Sequence, residues 1–240
     1  MSGTNEHDSS DASRYDDASS EDRLRAEVYS TLAGLFSAPP SPATLDYLQH
    51  SSFASGDGAP ADSMAAAWRR VRESAAETTP NALDDEYHAL FIGLGRGEVV
   101  PYGSWHLTGF LMEKPLSDLR DDLSAFGIER DSRQKDPEDH IAALCEAMAL
   151  IIVDGDIAES GQRRFFARHI DSWADRFFAQ LQSAGSARFY RAVGVFGARF
   201  LALERDFLSA ESSSSSLSSR SPDPISPTGS DALASTRSMH

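Results

Sequence analysis

The sequence predicts an all-α fold, a single compact bundle of about ten helices with disordered N- and C-terminal tails. Apolar residues recur at helical spacing of three and four through the middle of the chain. Capping residues, prolines and glycines separate these stretches at the places where helices begin and end. No segment alternates apolar and polar residues over the length of a strand. We therefore expect helices packed on helices.

Prolines mark helix boundaries in the first half of the helical middle part of the chain. The first helix ends at Pro39-Pro40. Ser41-Pro42 then supplies an N-cap and a proline at the first helical position, and Thr79-Pro80 starts a later helix in the same way. The apolar stripes of the four helices are Leu24, Val28, Leu32, Leu35 and Phe36; Leu45 and Leu48; Met64, Trp68, Val71 and Ala75; and Leu83, Tyr87, Leu90 and Phe91.

The second half contains four more predicted helices. Gly127 stops the first of them at its C′ position. Asp136 as N-cap and Pro137 at the first position, with acidic residues in the first turn, predict the start of the next. The apolar stripes are Leu116, Leu119, Leu123 and Phe126; Ile141, Leu144, Met148, Ile151 and Ile152; Trp173, Phe177 and Leu181; and Phe189, Val193, Phe196, Phe200, Leu203 and Phe207.

The two ends of the chain have a different composition from the middle. Residues 1–22 are rich in serine and aspartate, and residues 209–240 contain 13 serines and three prolines. Neither segment can bury enough apolar surface to offset the entropy of ordering it. We expect a disordered acidic tail over 1–22, one helical domain over 23–208 and a disordered Ser/Pro-rich tail over 209–240.

The composition excludes several classes of protein. The net charge of −15 argues against nucleic-acid binding, since phosphate neutralisation needs clustered basic residues. The single Cys145 can form no internal disulfide. No apolar run is long enough to span a membrane and no secretory signal opens the chain, so we expect a cytoplasmic protein. The acid excess with only two lysines favours a salt-loaded cytoplasm, although a GC-rich genome would also explain the preference for arginine.

The sequence offers few candidates for catalysis or metal binding. The glycines of the irregular stretch Gly93–Ser104 follow a helix and lack the Lys-Ser/Thr of a phosphate-binding loop. Asp139 and His140 could form an acid–base pair, but no nucleophile accompanies them. The seven histidines do not have zinc-ligand spacing. We therefore predict no catalytic residue, no metal site and no cofactor.

Aromatic and apolar residues cluster on both sides of the Gly-rich stretch. They are Tyr87, Leu90, Phe91, Tyr102 and Trp105. Such a cluster is either part of the core or an apolar groove for a helical peptide, and the sequence leaves both open. Rings with a polar group, as in Tyr and Trp, suit a groove that borders water.

Two motifs in this region resemble the signatures of a known family. The first is Tyr87-His88-Ala89-Leu90-Phe91 followed by Pro101-Tyr102-Gly103-Ser104, and the second is Asp136-Pro137-Glu138-Asp139-His140-Ile141. Together and in this order they resemble the TorD/DmsD group of molybdoenzyme maturation chaperones, which is related to the NarJ type. The resemblance covers about residues 22–208.

The resemblance implies a chaperone and not an enzyme. Its expected partners are the apo catalytic subunit of a molybdopterin oxidoreductase and the twin-arginine signal peptide of that subunit, which the chaperone holds until the cofactor is inserted. It implies either a monomer or a domain-swapped dimer. Weak guanine-nucleotide binding is attributed to some members, but this chain has no P-loop, so we expect no dedicated nucleotide site.

The resemblance also implies which residues bind the client. The carried-over positions are Tyr87, Leu90, Phe91, Pro101, Tyr102, Pro137, Asp139 and His140. We add Ser104, Trp105 and Glu138, which lie beside them in the sequence. Carboxylates can accept the guanidinium groups of paired arginines, so we assign Asp139 to arginine capture or to orienting His140. Asp139→Ala is then expected to weaken peptide binding without unfolding the domain.

Two alternatives remain at this point. A NarJ-type protein would assemble a reductase through its folded body and not through a complete signal peptide. A helical hydrolase would use Asp139 and His140 as its catalytic pair.

Overall fold

The computed structural model describes residues 19–51, 60–93, 96–129 and 136–218 of the 240-residue chain. The helices are α1 (Ser20–Ser37), α2 (Pro42–His50), α3 (Met64–Ala76), α4 (Pro80–Tyr87), α5 (Gly103–Thr108), α6 (Lys114–Ala125), α7 (Ile141–Val153), α8 (Glu159–Phe165), α9 (Ser172–Ser183) and α10 (Phe189–Ser218). Two π-helical segments, His88–Ile92 and Phe166–Asp171, continue α4 and α8. Within the described ranges β-structure is limited to one isolated bridge. The all-α class is confirmed.

Several helix ends lie where the sequence places them. Ser41 and Thr79 each accept a hydrogen bond from the backbone amide three residues later, and each is followed by the predicted proline. Gly127 follows α6 with a φ of 71°, as expected at a C′ position. These local signals suffice because capping satisfies backbone groups within the same turn.

The start of α7 differs from the prediction. The helix begins at Ile141 and not after Asp136, because Pro137 to His140 form a turn in which the His140 amide donates to the Pro137 carbonyl at 3.1 Å. His140 is the N-cap, since its side chain accepts from the Ala142 amide. Glu138 and Asp139, which the sequence places in the first turn of α7, therefore lie before that helix.

The first and last described helices extend beyond residues 23 and 208, the predicted limits of the domain. Helix α1 begins at Ser20, capped by Ser19, and α10 continues to Ser218. No proline occurs between 189 and 218, so nothing sterically stops α10 at 208. Residues 1–18 and 219–240 lie outside the described ranges, and the two disordered tails stay predictions.

Helix α7 is the central helix of the bundle. All but three of its residues are buried, which is typical of a helix surrounded by others. It packs along α1, while α10 packs against α9 and α3. The largest fully buried side chains around these helices are Trp173, Tyr29, Tyr190, Phe36, Phe165, Phe177, Phe178, Phe189 and Phe196.

A buried ionic network joins α1 to α10. The Arg25 guanidinium donates to both carboxylate oxygens of Glu204, with Nε–Oε2 at 2.9 Å and Nη2–Oε1 at 2.7 Å. It also donates to Asp22 and Gln162, and the Tyr29 hydroxyl donates to Glu204. Nothing in the apolar pattern indicates this network, because Arg25 and Glu204 are 179 residues apart.

The N-terminus of α10 is held by a carboxylate from α4. Glu86 accepts from the backbone amides of Arg188, Phe189 and Tyr190 at 2.8, 3.2 and 2.8 Å. Amides at a helix start lack partners within the helix, so a buried carboxylate there satisfies several donors at once. The C-terminal end of α4 is therefore tied to the start of α10.

No helix in the described part of the chain combines the length and apolar character needed to cross a membrane.

Candidate functional site

An antiparallel bridge joins the two sequence motifs. Tyr102 pairs with His140, with the Gly103 amide donating to the Asp139 carbonyl at 2.9 Å and the Ile141 amide donating to the Pro101 carbonyl at 2.8 Å. Segments that lie far apart in the sequence therefore form one site. The bridge brings residues of both motifs together, and their role in client binding stays a prediction.

Asp139 holds the start of α5. Its carbonyl accepts from Gly103, and its carboxylate Oδ2 accepts from the Ser104 amide at 2.8 Å. Tyr102, the residue before α5, makes no side-chain capping bond, so Asp139 supplies the cap from another part of the chain. The sequence places Asp139 in the first turn of α7, but in the structure its side chain caps α5.

Asp139 also faces a small cleft, which we call the Asp139 cleft. Only 3% of the residue is exposed, and its Oδ1 has no hydrogen-bond partner among the described residues; the same holds for the buried Ser104 hydroxyl. The cleft has a volume of about 130 Å³ and is lined by Gly103, Ser104, Leu107, Pro115, Asp118, Leu119, Asp139, Leu144, Arg168, His169 and Trp173. It offers a hydrogen-bond acceptor at a mostly apolar wall.

Trp173 of α9 sets the distance between α5 and the core. A Cβ at Gly103 would lie 3.0 Å from the indole Nε1, so a larger residue would displace the indole or α5 by a few tenths of an ångström. The indole donates to the His169 carbonyl, and the His106 ring stacks on its face at 5.0 Å. The glycine of the Pro-Tyr-Gly-Ser motif is therefore explained by packing.

A second cleft opens on the other side of the bridge, and we call it the acidic cleft. Its volume is about 240 Å³. It is lined by Ala33, Ser37, Leu123, Ile128, Glu129, Asp136, Glu138, His140, Ala142, Ala143, Glu146, Ala147 and Leu150. Four of these residues are acidic, and most of the others are apolar. The cleft lies between α1, α7 and the end of α6.

Two of the acidic residues have partners that are visible in the structure. Both carboxylate oxygens of Glu138 accept from Arg120, at 3.1 Å from Nε and 2.8 Å from Nη2. The Tyr102 hydroxyl donates to Asp136 at 3.0 Å. Burial, reinforced by this hydrogen bond, raises the pKa of Tyr102 above the ordinary value for tyrosine. The phenol therefore stays protonated and continues to donate.

His140 stands between the two clefts as a neutral ring. Burial lowers the pKa of His140 below its ordinary value, against the opposing effect of Asp136 and Asp139. Its Nδ1 accepts from the Ala142 amide, and its ring meets Tyr102 edge to face at 5.0 Å. Among the described contacts it makes no hydrogen bond with Asp139. The geometry gives no support to a catalytic Asp139–His140 pair.

The Tyr-His-Ala-Leu-Phe segment lies mainly in the core. Tyr87 and Leu90 are buried, and the Tyr87 hydroxyl donates to the Phe36 carbonyl at 2.9 Å. Burial raises the pKa of Tyr87 to about 12. Phe91 is half-buried and packs edge to face on Tyr87, Tyr190 and Phe36. Core packing accounts for Tyr87 and Leu90, so we do not retain them as direct client contacts.

The remaining predicted residues frame the bridge. The backbone carbonyls of Pro101 and Pro137 accept from Ile141 and His140, which makes the two prolines part of the scaffold. Trp105 is half-buried, and the Arg96 guanidinium lies 4.8 Å above its ring. The side chains that line a cleft are thus Ser104 and Asp139 on one side, and Glu138 and His140 on the other.

Sequence reasoning missed two residues that line the clefts, Trp173 and Glu146, and it also missed Arg120, which binds Glu138 at the acidic cleft. Arg120 looks like an ordinary surface residue of α6, and Trp173 like an ordinary core residue of α9. Glu146 carried a signal, because it is the single charged residue within the apolar segment 141–153. An acid in such a helix suggests that one face of the helix borders water.

No group of three or more His, Cys, Asp or Glu side chains in the described ranges is placed to hold a metal ion.

The structure changes the expected effect of Asp139→Ala. Removing the carboxylate leaves the Ser104 amide unpaired in a buried position, so we expect the free energy of unfolding to fall by about 1–3 kcal/mol. Glu138→Ala at the next position removes an exposed ion pair and should cost about 0.2–1 kcal/mol. Urea denaturation of both variants checks this. Equal losses would contradict the capping role of Asp139.

The chain is similar to proteins of one functional class. A family model described as the nitrate reductase delta subunit matches residues 57–179, just over half of the chain. The chaperone protein TorD of Aliivibrio salmonicida is 27% identical over 78% of this chain and 95% of that relative. A protein named as the Tat proofreading chaperone DmsD of Haemophilus influenzae is 28% identical over 47% of this chain and 55% of its own length. A solved structure described as a redox enzyme maturation protein from Archaeoglobus fulgidus aligns with a TM-score of 0.49 at 18% identity, covering 76% of this chain and 94% of that one.

Proposed function

Since the chain belongs to the nitrate reductase delta subunit family, with TorD and DmsD chaperones among its relatives, we propose that it binds a twin-arginine signal peptide in the cytoplasm. The peptide would belong to the apo catalytic subunit of a molybdopterin oxidoreductase of the dimethyl sulfoxide reductase type. Binding would hold the subunit until its cofactor is inserted and so delay its export. The family resemblance in the sequence is confirmed, and the relatives are named as chaperones and not as enzymes.

The acidic cleft is the observation that supports this proposal. A twin-arginine signal peptide presents two guanidinium groups ahead of an apolar stretch. Glu129, Asp136, Glu138 and Glu146 supply carboxylates at the rim, and a guanidinium can bind a carboxylate through two parallel hydrogen bonds. The alanine and leucine side chains between them form a floor on which an apolar helix face can rest.

The proposal is tested by replacing the two arginines of the peptide and measuring the affinity of the protein for each form. Calorimetry would compare a synthetic peptide carrying Arg-Arg and an apolar stretch with the same peptide carrying Lys-Lys or Gln-Gln. We expect the Lys-Lys form to bind about tenfold more weakly, because lysine cannot form the planar two-bond contact, and the Gln-Gln form to bind more weakly still. Equal affinity for all three peptides, or binding to none, would overturn the proposal.

A pair of variants locates the peptide on the surface. Glu146→Gln removes one carboxylate from the acidic cleft and should weaken Arg-Arg binding about three- to tenfold. Glu77→Gln removes the same charge from an exposed position outside both clefts and should leave the affinity unchanged. Equal effects of the two variants would show that only the net charge matters.

One observation favours a second mode of client binding. Between α5 and α6, three consecutive apolar residues are exposed: Phe110 by 68%, Leu111 by 50% and Met112 by 72%. A contiguous apolar surface of this kind is typical of a contact with another protein. It lies outside the acidic cleft, and it suits a NarJ-type contact with the body of the reductase. Substituting all three by serine should weaken binding of the apo subunit and leave peptide binding unchanged.

A further inference from the structure

We propose that the acidic cleft holds one large apolar side chain of the client peptide, beside a client arginine at Glu146. The occupant has the size of leucine or phenylalanine, so the cleft selects the size of one peptide residue as well as the charge of another. This inference rests on the proposed function of the acidic cleft. It assigns a specificity role to Ala143 and Ala147 of α7, which belong to neither sequence motif.

Small residues form the wall of the acidic cleft on two helices. Helix α7 contributes Ala142, Ala143 and Ala147, and α1 contributes Ala33 and Ser37. The sides of α7 that face the core carry larger side chains, each at most 5% exposed: Ile141, Leu144, Met148, Ile151 and Ile152. A larger residue at 143 or 147 would occupy the space of the cleft.

The space beside these small residues has the size of one large apolar side chain. The volume of the cleft is about 240 Å³. An apolar cavity of about 150 Å³ is already large enough to bind benzene. The cleft therefore has room for one leucine side chain or one phenylalanine ring, and not for two.

The wall of the cleft suits an apolar group, and its rim suits a cation. Three larger apolar residues complete the wall: Leu123, Ile128 and Leu150. Glu146 is exposed and lies between Ala143 and Ala147 on the cleft side of α7. A peptide whose arginine binds Glu146 brings a neighbouring side chain over the alanines. This charge complementarity identifies the occupant as part of a cationic peptide.

Replacing the apolar residues of the peptide one at a time locates the inserted side chain. Calorimetry with the full chain would compare an Arg-Arg peptide with forms in which each apolar residue is changed to alanine in turn. We expect one replacement to weaken binding about tenfold and the others less than about threefold, because only one side chain is enclosed. Equal losses at every position would indicate a broad apolar contact and overturn the inference.

The variant Ala143→Leu fills the cleft from the side of the protein. Ala143 is partly buried, and leucine is a good helix former, so we expect α7 to be retained. The variant should bind the Arg-Arg peptide about tenfold more weakly than wild type does. Its affinity for the form with alanine at the inserted position should stay within about twofold of wild type. An unchanged preference for the large side chain would contradict the inference.

Ala198→Leu is the matched control. Ala198 of α10 is also partly buried and lines neither cleft, so this variant should bind both peptides as wild type does. An equal loss from Ala198→Leu would overturn the role of Ala143. Should Ala143→Leu fail to fold, Leu150→Ala enlarges the cleft at a residue that is 45% exposed. It should shift the preference at the inserted position from leucine towards tryptophan, and no shift would again overturn the inference.

The outcomes separate this inference from the proposed function. If wild type prefers Arg-Arg to Gln-Gln peptides but Ala143→Leu weakens the large and the small form equally, the inference fails and the proposed function stands. If wild type does not distinguish Arg-Arg from Gln-Gln peptides, the proposed function fails and this inference fails with it.

Discussion

Replacing Glu204 by alanine is expected to lower the free energy of unfolding by about 3–5 kcal/mol. Glu204 is 1% exposed and receives two hydrogen bonds from Arg25 and one from Tyr29. Its removal leaves a guanidinium charge in a largely buried position with fewer partners. Truncation of one member of a buried ion pair is costly for this reason, even where the intact pair adds little net stability.

Two further variants separate this effect from general damage to α10. Asp206→Asn changes an exposed carboxylate on the same helix and should shift the free energy of unfolding by less than about 0.5 kcal/mol. The double variant Arg25→Met, Glu204→Leu removes both charges and should recover most of the loss. Urea denaturation measures all three. If the double variant is as unstable as Glu204→Ala, the unpaired charge is not the cause.

Replacing Gly97 by alanine is expected to lower the free energy of unfolding by about 2–4 kcal/mol. An added Cβ would overlap the Leu90 carbonyl and lie 2.6 Å from the carbonyl carbon of Phe91. These atoms belong to the backbone of the π-helical segment and cannot rotate away. The chain after Gly97 would move, and the amides of Glu98 and Val99 would lose their bonds to the Ala89 and Leu90 carbonyls.

The same displacement should reach the candidate site. The segment after Gly97 leads within four residues to Pro101, whose carbonyl holds α7 at the bridge. Gly97→Ala should therefore weaken peptide binding as well as stability. Gly34→Ala in α1 is the control, since no atom lies within 4 Å of its added Cβ and alanine should stabilise the helix by about 0.5–1 kcal/mol. A loss of equal size in both variants would contradict overlap with the Leu90 and Phe91 backbone as the cause.

The sequence predicts the helices well because their signals are local. The Ser41-Pro42 and Thr79-Pro80 pairs satisfy amides within the next turn, and their helices begin there. Asp136-Pro137 carries the same local signal and fails, because the chain forms a turn at Pro137 and Asp139 caps α5, which precedes it by about 35 residues. A pattern within one segment cannot reveal a partner in another.

The candidate site was likewise predictable only where its signals are local. The motifs themselves were predictable, and the structure brings Tyr102 and His140 together as a pair. Two roles were not predictable. Tyr87 and Leu90 look like groove residues and are buried, since an apolar stripe does not say whether it faces a helix or a ligand. The ion pair of Arg120 with Glu138 depends on α6 lying beside Glu138, which no pattern within α6 reveals.

The capping of α5 by Asp139 also orders events during synthesis. The Ser104 amide has its hydrogen-bond acceptor only after Asp139 has been translated, 35 residues later. At roughly 5–20 residues per second this interval lasts about 2–7 seconds. A nascent chain that ends before Asp139 has neither the bridge nor the walls that α7 gives to both clefts. If the clefts bind the client as proposed, we expect a newly made copy to engage it only after its own central helix has left the ribosome.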